Sequence, residues 1–151
     1  MKLTKRGEYS LKALLALALN YGQETLSLRE ISIKEKLPVK FLEQLMMVLK
    51  RNHLVESVKG KHGGYSLARS PEAITLGEVI RAVDGPLAPY ATAEEIQKRI
   101  KRNDSHPGLY STLLDVRNAI SEILDNKSLA DICTKSLELS QSRAAHRMYY
   151  I

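Results

Sequence analysis

The stretch LPVKFLEQLMMVLKRNHLVESVKGKHGGYSLAR, Leu37 to Arg69, decides how the chain is read. Its first part places Leu42, Leu45, Met46 and Leu49 at i, i+3, i+4 and i+7, the spacing of an amphipathic helix, expected from about Pro38 to Arg51. Pro38 suits the first turn of such a helix, where a missing N–H costs no hydrogen bond. Its second part alternates apolar and polar residues through LVESVK, Leu54 to Lys59, and YSLAR, Tyr65 to Arg69, with Gly60-Lys61-His62-Gly63-Gly64 between them. That pattern predicts a β-hairpin. The glycines match neither phosphate-cradling fingerprint, because both fingerprints feed a helix and these feed a second strand.

Upstream, Ser27-Leu28-Arg29-Glu30 has the form of a capping box opening a short helix to about Lys36, with Leu28, Ile31 and Ile33 as inward candidates. Before it, residues 5–21 carry Leu11, Leu14, Leu15, Ala18, Leu19 and Tyr21 at helical spacing, with Gly22 as a stop. Two short helices across a tight turn have the dimensions of a helix-turn-helix. A following hairpin tipped by Lys59, Lys61 and His62 then reads as a wing, whose glycines let backbone approach a nucleic-acid phosphate or minor groove. An ordinary pair of core helices followed by a basic surface hairpin shares the local pattern, so composition and the rest of the chain must weigh in.

Downstream, Thr75-Leu76-Gly77-Glu78 predicts a further helix to about Val83, halted by Asp84-Gly85-Pro86. Pro86 to Pro89 reads as linker, and Thr92 opens a charged segment, EEIQKRIKRND, expected as a frayed helix or mobile loop. Its Lys98, Arg99, Lys101 and Arg102 read as solvated surface before a second nucleic-acid site. A long helix is expected from about Leu109 to Leu124, with Leu109, Leu113, Val116, Ile120, Ile123 and Leu124 along one stripe. That stripe suits pairing with a second copy across a two-fold axis, and packing back onto its own domain is the alternative. Ser128 caps a last helix to about Leu139, followed by the tail SRAAHRMYYI. The fold expected is mainly α with a small β-hairpin: a winged helix-turn-helix domain at 1–85, a linker or flexible segment at 86–108, and a dimerisation helix, last helix and tail at 109–151.

The net charge is +6, and its placement is lopsided. Residues 1–69 hold 13 Lys/Arg against 6 Asp/Glu, and residues 70–151 hold 10 against 11, so the whole excess lies in the first half. A polyanion-binding half joined to a neutral packing half has this asymmetry, as does a merely well-solvated surface. The single cysteine, Cys133, forbids an intrachain disulfide and a Cys-rich metal cage within one chain. No signal peptide or apolar run of membrane-spanning length is present, so a cytoplasmic protein without membrane contact is expected. Histidines at 53, 62, 106 and 146 lack ligand spacing, no nucleophile–base order stands out, and neither catalysis nor a metal site is expected.

With these pieces in order, the chain resembles the winged-helix transcriptional regulators typified by the iron–sulfur regulator IscR and the nitric-oxide sensor NsrR. The resemblance lies in LTKRGEYSLKALLALAL (3–19), FLEQLMMVLK (41–50), LVESVKGKHGGYSLAR (54–69) and ITLGEVIRAVDG (74–85). It implies a homodimer that binds pseudo-palindromic promoter DNA, usually as a repressor. It further implies that Lys40, Phe41, Glu43 and Gln44 face the major groove while Lys59, Lys61, His62 and Gly63 meet the backbone or minor groove, with Pro38, Lys50, Arg51 and Tyr65 completing the double-stranded DNA surface. The chemistry suits those places: a carboxylate accepts from cytosine, a carboxamide pairs with adenine, and lysines neutralise phosphates. A salt bridge to a neighbouring lysine is the other reading of Glu43.

Three departures qualify the resemblance. Phe41 stands where tyrosine is common and Lys59 where arginine is common. The three cysteines that hold a cluster in cluster-binding members are absent, so no cofactor is expected and the composition speaks against an iron–sulfur cluster. Cys133 reads as a small buried hydrophobe before a redox sensor. The linker DGPLAP and the ending Met-Tyr-Tyr-Ile look more like the branch typified by the cysteine-metabolism repressor CymR. That likeness implies association with cysteine synthase through Tyr149, Tyr150 and Ile151, against a tail that packs on its own dimer. The function expected is therefore a dimeric DNA-binding repressor, with an iron–sulfur or thiol-based redox regulator, or an enzyme-binding partner whose DNA binding is secondary, as alternatives.

Overall fold

The computed structural model describes residues 2–87, 92–102 and 105–150. Among them, seven α-helices and one hairpin follow in the order α1 (Lys5–Leu19), α2 (Leu28–Glu35), α3 (Val39–Arg51), β1 (Val55–Val58), β2 (Gly64–Leu67), α4 (Leu76–Asp84), α5 (Ala93–Lys101), α6 (Pro107–Asp125) and α7 (Leu129–Tyr149). The fold class matches the expectation: mainly helical, with one two-stranded antiparallel sheet.

Local chemistry sets most boundaries. Ser27 and Glu30 form the expected capping box, Ser27 Oγ accepting from the Glu30 N–H at 3.2 Å and Glu30 Oε2 from the Ser27 N–H at 2.7 Å. The caps of α4 and α7 are likewise Thr75 and Ser128. Between α2 and α3 the chain reverses at Lys36, in the left-handed region at φ 55°, before Pro38 starts the next helix. This sharp turn sets α2 and α3 as a helix-turn-helix.

One hydrophobic core holds these elements. Ala13, Leu14 and Leu17 of α1 meet Ile31 of α2, Leu42, Met46 and Leu49 of α3, and Val79 and Val83 of α4. Leu54, Val55 and Leu67 bring in the base of the hairpin, and Leu129 brings in the start of α7. On α3 the buried residues are the four expected. On α1 the stripe is rotated: Leu19 and Tyr21 are exposed, while Gly7, Ser10, Ala13 and Ala16 lie inside. Small residues occupy this face because α4 crosses closely there, a Cβ on Gly7 running into the Asp84 carboxylate. Ile33 also points outward, not inward.

Beyond Asp84 the structure adds order. The segment expected as a frayed helix or loop is α5, capped by Thr92 and packed on α6. Pro86 and Leu87 of the expected linker are described, Leu87 being buried, while Pro89 lies outside the described residues. The last helix does not stop at Leu139 but continues to Tyr149. No Gly or Pro interrupts it, and Ser136, Ser140 and Ser142 satisfy their hydroxyls on carbonyls four residues back instead of competing with the helix.

The long helix α6 has no fully buried residue. Leu109, Val116 and Ile123 are exposed, and Leu113, Ile120 and Leu124 half-buried. Arg81 of α4 clamps the far end of α6 through a bidentate pair to Asp125, both contacts at 2.7 Å. This pairing pulls Asp125 below the usual carboxylate range and raises the Arg81 guanidinium.

Candidate nucleic-acid interface

The outward face of α3 follows from its inward one. With Leu42, Leu45, Met46 and Leu49 buried, helical periodicity turns Lys40, Glu43, Gln44, Met47, Lys50 and Arg51 outward, and all six are exposed. Glu43 makes no ion pair among the described residues, so its carboxylate is free to accept, and the alternative of a lysine salt bridge is not realised. Pro38 is exposed at the N-terminal end, where its φ of −63° serves the start of the helix.

Phe41 is placed differently from its neighbours. It is half-buried, its ring edge-on to Tyr9 of α1 with centroids 5.6 Å apart and planes at 83°. That T-shaped contact fixes α3 against α1 as the core does.

The hairpin stands beside this face and is tied to it. Val55 pairs with Leu67 and Val58 with Gly64, leaving Lys59 to Gly63 as the turn. Gly60 has φ +113°, a conformation closed to residues with a Cβ. Gly64 passes so close to the α1–α2 connection that a Cβ would sit 2.6 Å from the Leu26 carbonyl oxygen. A Cβ on Gly63 would run into the Val58 carbonyl. Wing glycines thus shape the turn and let it lie against the body, reasons internal to the fold.

Three contacts hold the wing. Tyr65, half-buried, exchanges backbone bonds with Leu26, donating at 2.7 Å and accepting at 3.0 Å. Thr25 Oγ1 donates to the His62 carbonyl at 3.0 Å. Lys50 Nζ donates to Ser57 Oγ on β1 at 2.5 Å, joining the end of α3 to the wing strand. Lys50 is therefore partly committed to structure, whereas Arg51, Lys59, Lys61 and His62 are exposed. A groove of about 530 Å³ runs between the wing tip and the start of α2, lined by Thr25, Ser27, Glu30, Lys61, His62 and Gly63. Its helix terminus is already capped by the Glu30 carboxylate, which leaves no vacant anion cradle there.

Helix-turn-helix, wing and a basic exposed face are the parts of a DNA reader, and comparison with known proteins agrees with that geometry. The family model Rrf2, described as "Iron-dependent Transcriptional regulator", matches residues 3–135. The chain belongs to the Rrf2 family. It is 34% identical over 134 residues to the HTH-type transcriptional regulator CymR of Bacillus subtilis (strain 168), covering 89% of this chain and 91% of that one. The solved structure of CymR, described as the global cysteine regulator of B. subtilis, superposes with a TM-score of 0.77 at 32% identity over 89% of this chain and 98% of that one. T. potens IscR superposes with a TM-score of 0.69 at 32% identity over 90% and 88%. This Rrf2 protein is thus a DNA-binding transcriptional regulator and not an enzyme.

The family description raises the question of iron. A cluster needs several soft anionic ligands, and this chain offers one thiol. Cys133 is half-buried on α7, and burial pushes its thiol above the ordinary value, away from the thiolate form a metal binds. Among the described residues no three His, Cys, Asp or Glu side chains converge as a metal site. The donor set does not fit a thiolate-held cluster. No helix among the described residues is long and apolar enough to cross a membrane.

Sequence reading did not name Met47 on the outward face of α3, nor Ser57 and Thr25 among the contacts that hold the wing. Met47 could have been found as the residue one helical turn beyond Glu43; Ser57 and Thr25 act through contacts between distant segments and leave no periodic signal.

Proposed function

We propose that this Rrf2 regulator binds a pseudo-palindromic promoter site as a homodimer and represses transcription from it in the cytoplasm. Lys40, Glu43 and Gln44 enter the major groove, and Arg51, Lys59, Lys61 and His62 neutralise or approach the backbone on either side. The observation that carries the reading is the outward face of α3, bearing an unpaired carboxylate and a carboxamide one residue apart, braced to a basic wing by Lys50 and Ser57. Dimerisation is supported by α6, where Leu109, Leu113, Val116, Ile120 and Ile123 recur at alternating four- and three-residue spacing along a half-exposed seam. The division at 1–85 and 109–151 follows as reading unit and pairing unit, with Leu129 returning α7 to the first core. No iron–sulfur cluster takes part, given the single cysteine. Selection of bound duplexes from a random pool tests the proposal: an inverted repeat is expected, and Glu43→Ala should relax preference at one base pair in each half. An unchanged preference would displace the reading face.

A second reading adds association with cysteine synthase through the end of α7. Its support is the exposure of Tyr149 and Tyr150, 90% and 80%, together with the likeness to a cysteine regulator. Ile151 lies outside the described residues. Removing residues 149–151 should abolish co-sedimentation with that enzyme while leaving operator binding intact; retained co-sedimentation refutes it.

A further inference from the structure

We propose that Met47 is a specificity-determining residue that reads the C5 methyl group of a pyrimidine, a thymine of the operator, in the major groove. This rests on the reading of α3 as the helix that enters that groove. Met47 is 64% exposed while its neighbour Met46 is fully buried, so the side chain is kept outside without any packing duty. It lies one turn beyond Glu43 and three residues beyond Gln44, and Lys50 and Arg51 follow at i+3 and i+4. Both outward rows of the helix, 40–44–47–51 and 43–47–50, pass through it. An apolar side chain thus stands at the centre of a face that is otherwise charged or hydrogen-bonding.

The thymine methyl is the apolar feature the major groove displays, and apolar side chains are its readers. The surrounding cations Lys40, Lys50 and Arg51 suit a polyanion and not an apolar protein partner. Methionine fits this role because its unbranched, polarisable chain adapts to a methyl group whose height varies with groove geometry. Four residues of helix place Met47 about 6 Å along the axis from Glu43, roughly two base-pair steps. The thymine is therefore expected about two pairs from the one read by Glu43.

The test uses the intact protein and its selected operator. Each thymine is replaced in turn by deoxyuridine, which deletes only the methyl group, and affinity is measured by fluorescence anisotropy for the unsubstituted protein, Met47→Ala and Glu43→Ala. At one position in each half-site, a single replacement should weaken the unsubstituted protein about four-fold, the worth of burying one methyl group. Met47→Ala should lose that sensitivity, and Glu43→Ala should retain it while relaxing preference at a different pair. A thymine scan without any sensitive position overturns the proposal, as does sensitivity that persists in Met47→Ala. If Glu43→Ala relaxes its pair in either case, the α3 reading stands and only the Met47 assignment falls. If neither variant alters any preference, α3 itself is not the reader. Cytosine and 5-methylcytosine at the same position form the confirming arm: methylation should restore affinity to the unsubstituted protein alone.

Discussion

In the proposed dimer, replacing both Lys59 and Lys61 with alanine removes two of the four cations that each protomer would bring to the duplex, Lys40 in the major groove and Arg51, Lys59 and Lys61 along the backbone. Lys50 is left out of that set because its ammonium donates to Ser57. A dimer engaging all of them sets roughly 8 cations against the phosphate charge, and at about 0.9 counterions released per cation the logarithm of affinity should fall against the logarithm of salt with a slope of about −7. The double variant keeps roughly 4 contacts and a slope of about −4. Between about 50 and 200 mM salt the unsubstituted protein should then lose about 10⁴-fold in affinity and the variant only about 10²-fold. Anisotropy titrations at several salt concentrations measure both slopes, and the ranking of operator sequences should not change, because backbone contacts carry no base information. Equal slopes would show that the wing lies off the duplex. A changed ranking would show that it reads bases instead of charge.

Leu129→Ala empties a fully buried position where α7 joins the first core and should cost about 2–5 kcal/mol in chemical denaturation; a cost below about 1 kcal/mol would mean the surroundings collapse into the gap. Leu113→Lys with Ile120→Lys, both half-buried on the α6 seam, should leave the protein monomeric in sedimentation where the unsubstituted chain is expected to sediment as the proposed dimer, with the circular dichroism of the helices in place. Arg81→Ala should cost about 1 kcal/mol or less, since the Arg81–Asp125 pair is 43% and 41% exposed and screened by salt. The same pair sets a pH dependence. Asp125 is depressed in the folded state, so its stabilising contribution is complete above its ordinary value of 3.8 and is lost as the pH falls below it. Asp131 and Glu30, held low by bonds from Ser128 and Ser27, add to the loss in the same direction. Arg81→Ala should flatten the acid limb of a stability–pH curve; an unchanged limb would assign the loss to the other carboxylates.

Short-range periodicity made α3 legible. The spacing of Leu42, Leu45, Met46 and Leu49 fixed which side of α3 is inside, and therefore which side carries Lys40, Glu43 and Gln44. Capping chemistry did the same for α2, α4 and α7, because Ser27, Thr75 and Ser128 act on residues only three positions away. On α1, by contrast, leucine or alanine fills nearly every position from 11 to 19, so hydrophobicity alone does not choose a face. Close approach chooses it, through Gly7 against Asp84, and that contact spans most of the first domain. The edge-on contact of Phe41 with Tyr9 likewise joins two separate helices and leaves no periodic signal.

Two long-range polar contacts share one location, α4, and through it the start of α1 and the end of α6 are tied together. At one end Asp84 accepts from the Thr4 N–H at 3.1 Å and the Thr4 hydroxyl at 2.5 Å, latching the start of α1. On the next turn back Arg81 grips Asp125 at the end of α6, with Gly77 leaving room for that carboxylate. Helix α1 in turn holds α3 through the core and through Tyr9 against Phe41. The orientation of α3 is therefore continuous with that of α6 through packed side chains and two carboxylates, without passing through the wing. In a dimer paired along α6, the spacing of the two reading helices is set by this same chain of contacts, and half-site separation becomes a property of α4 as much as of the pairing seam.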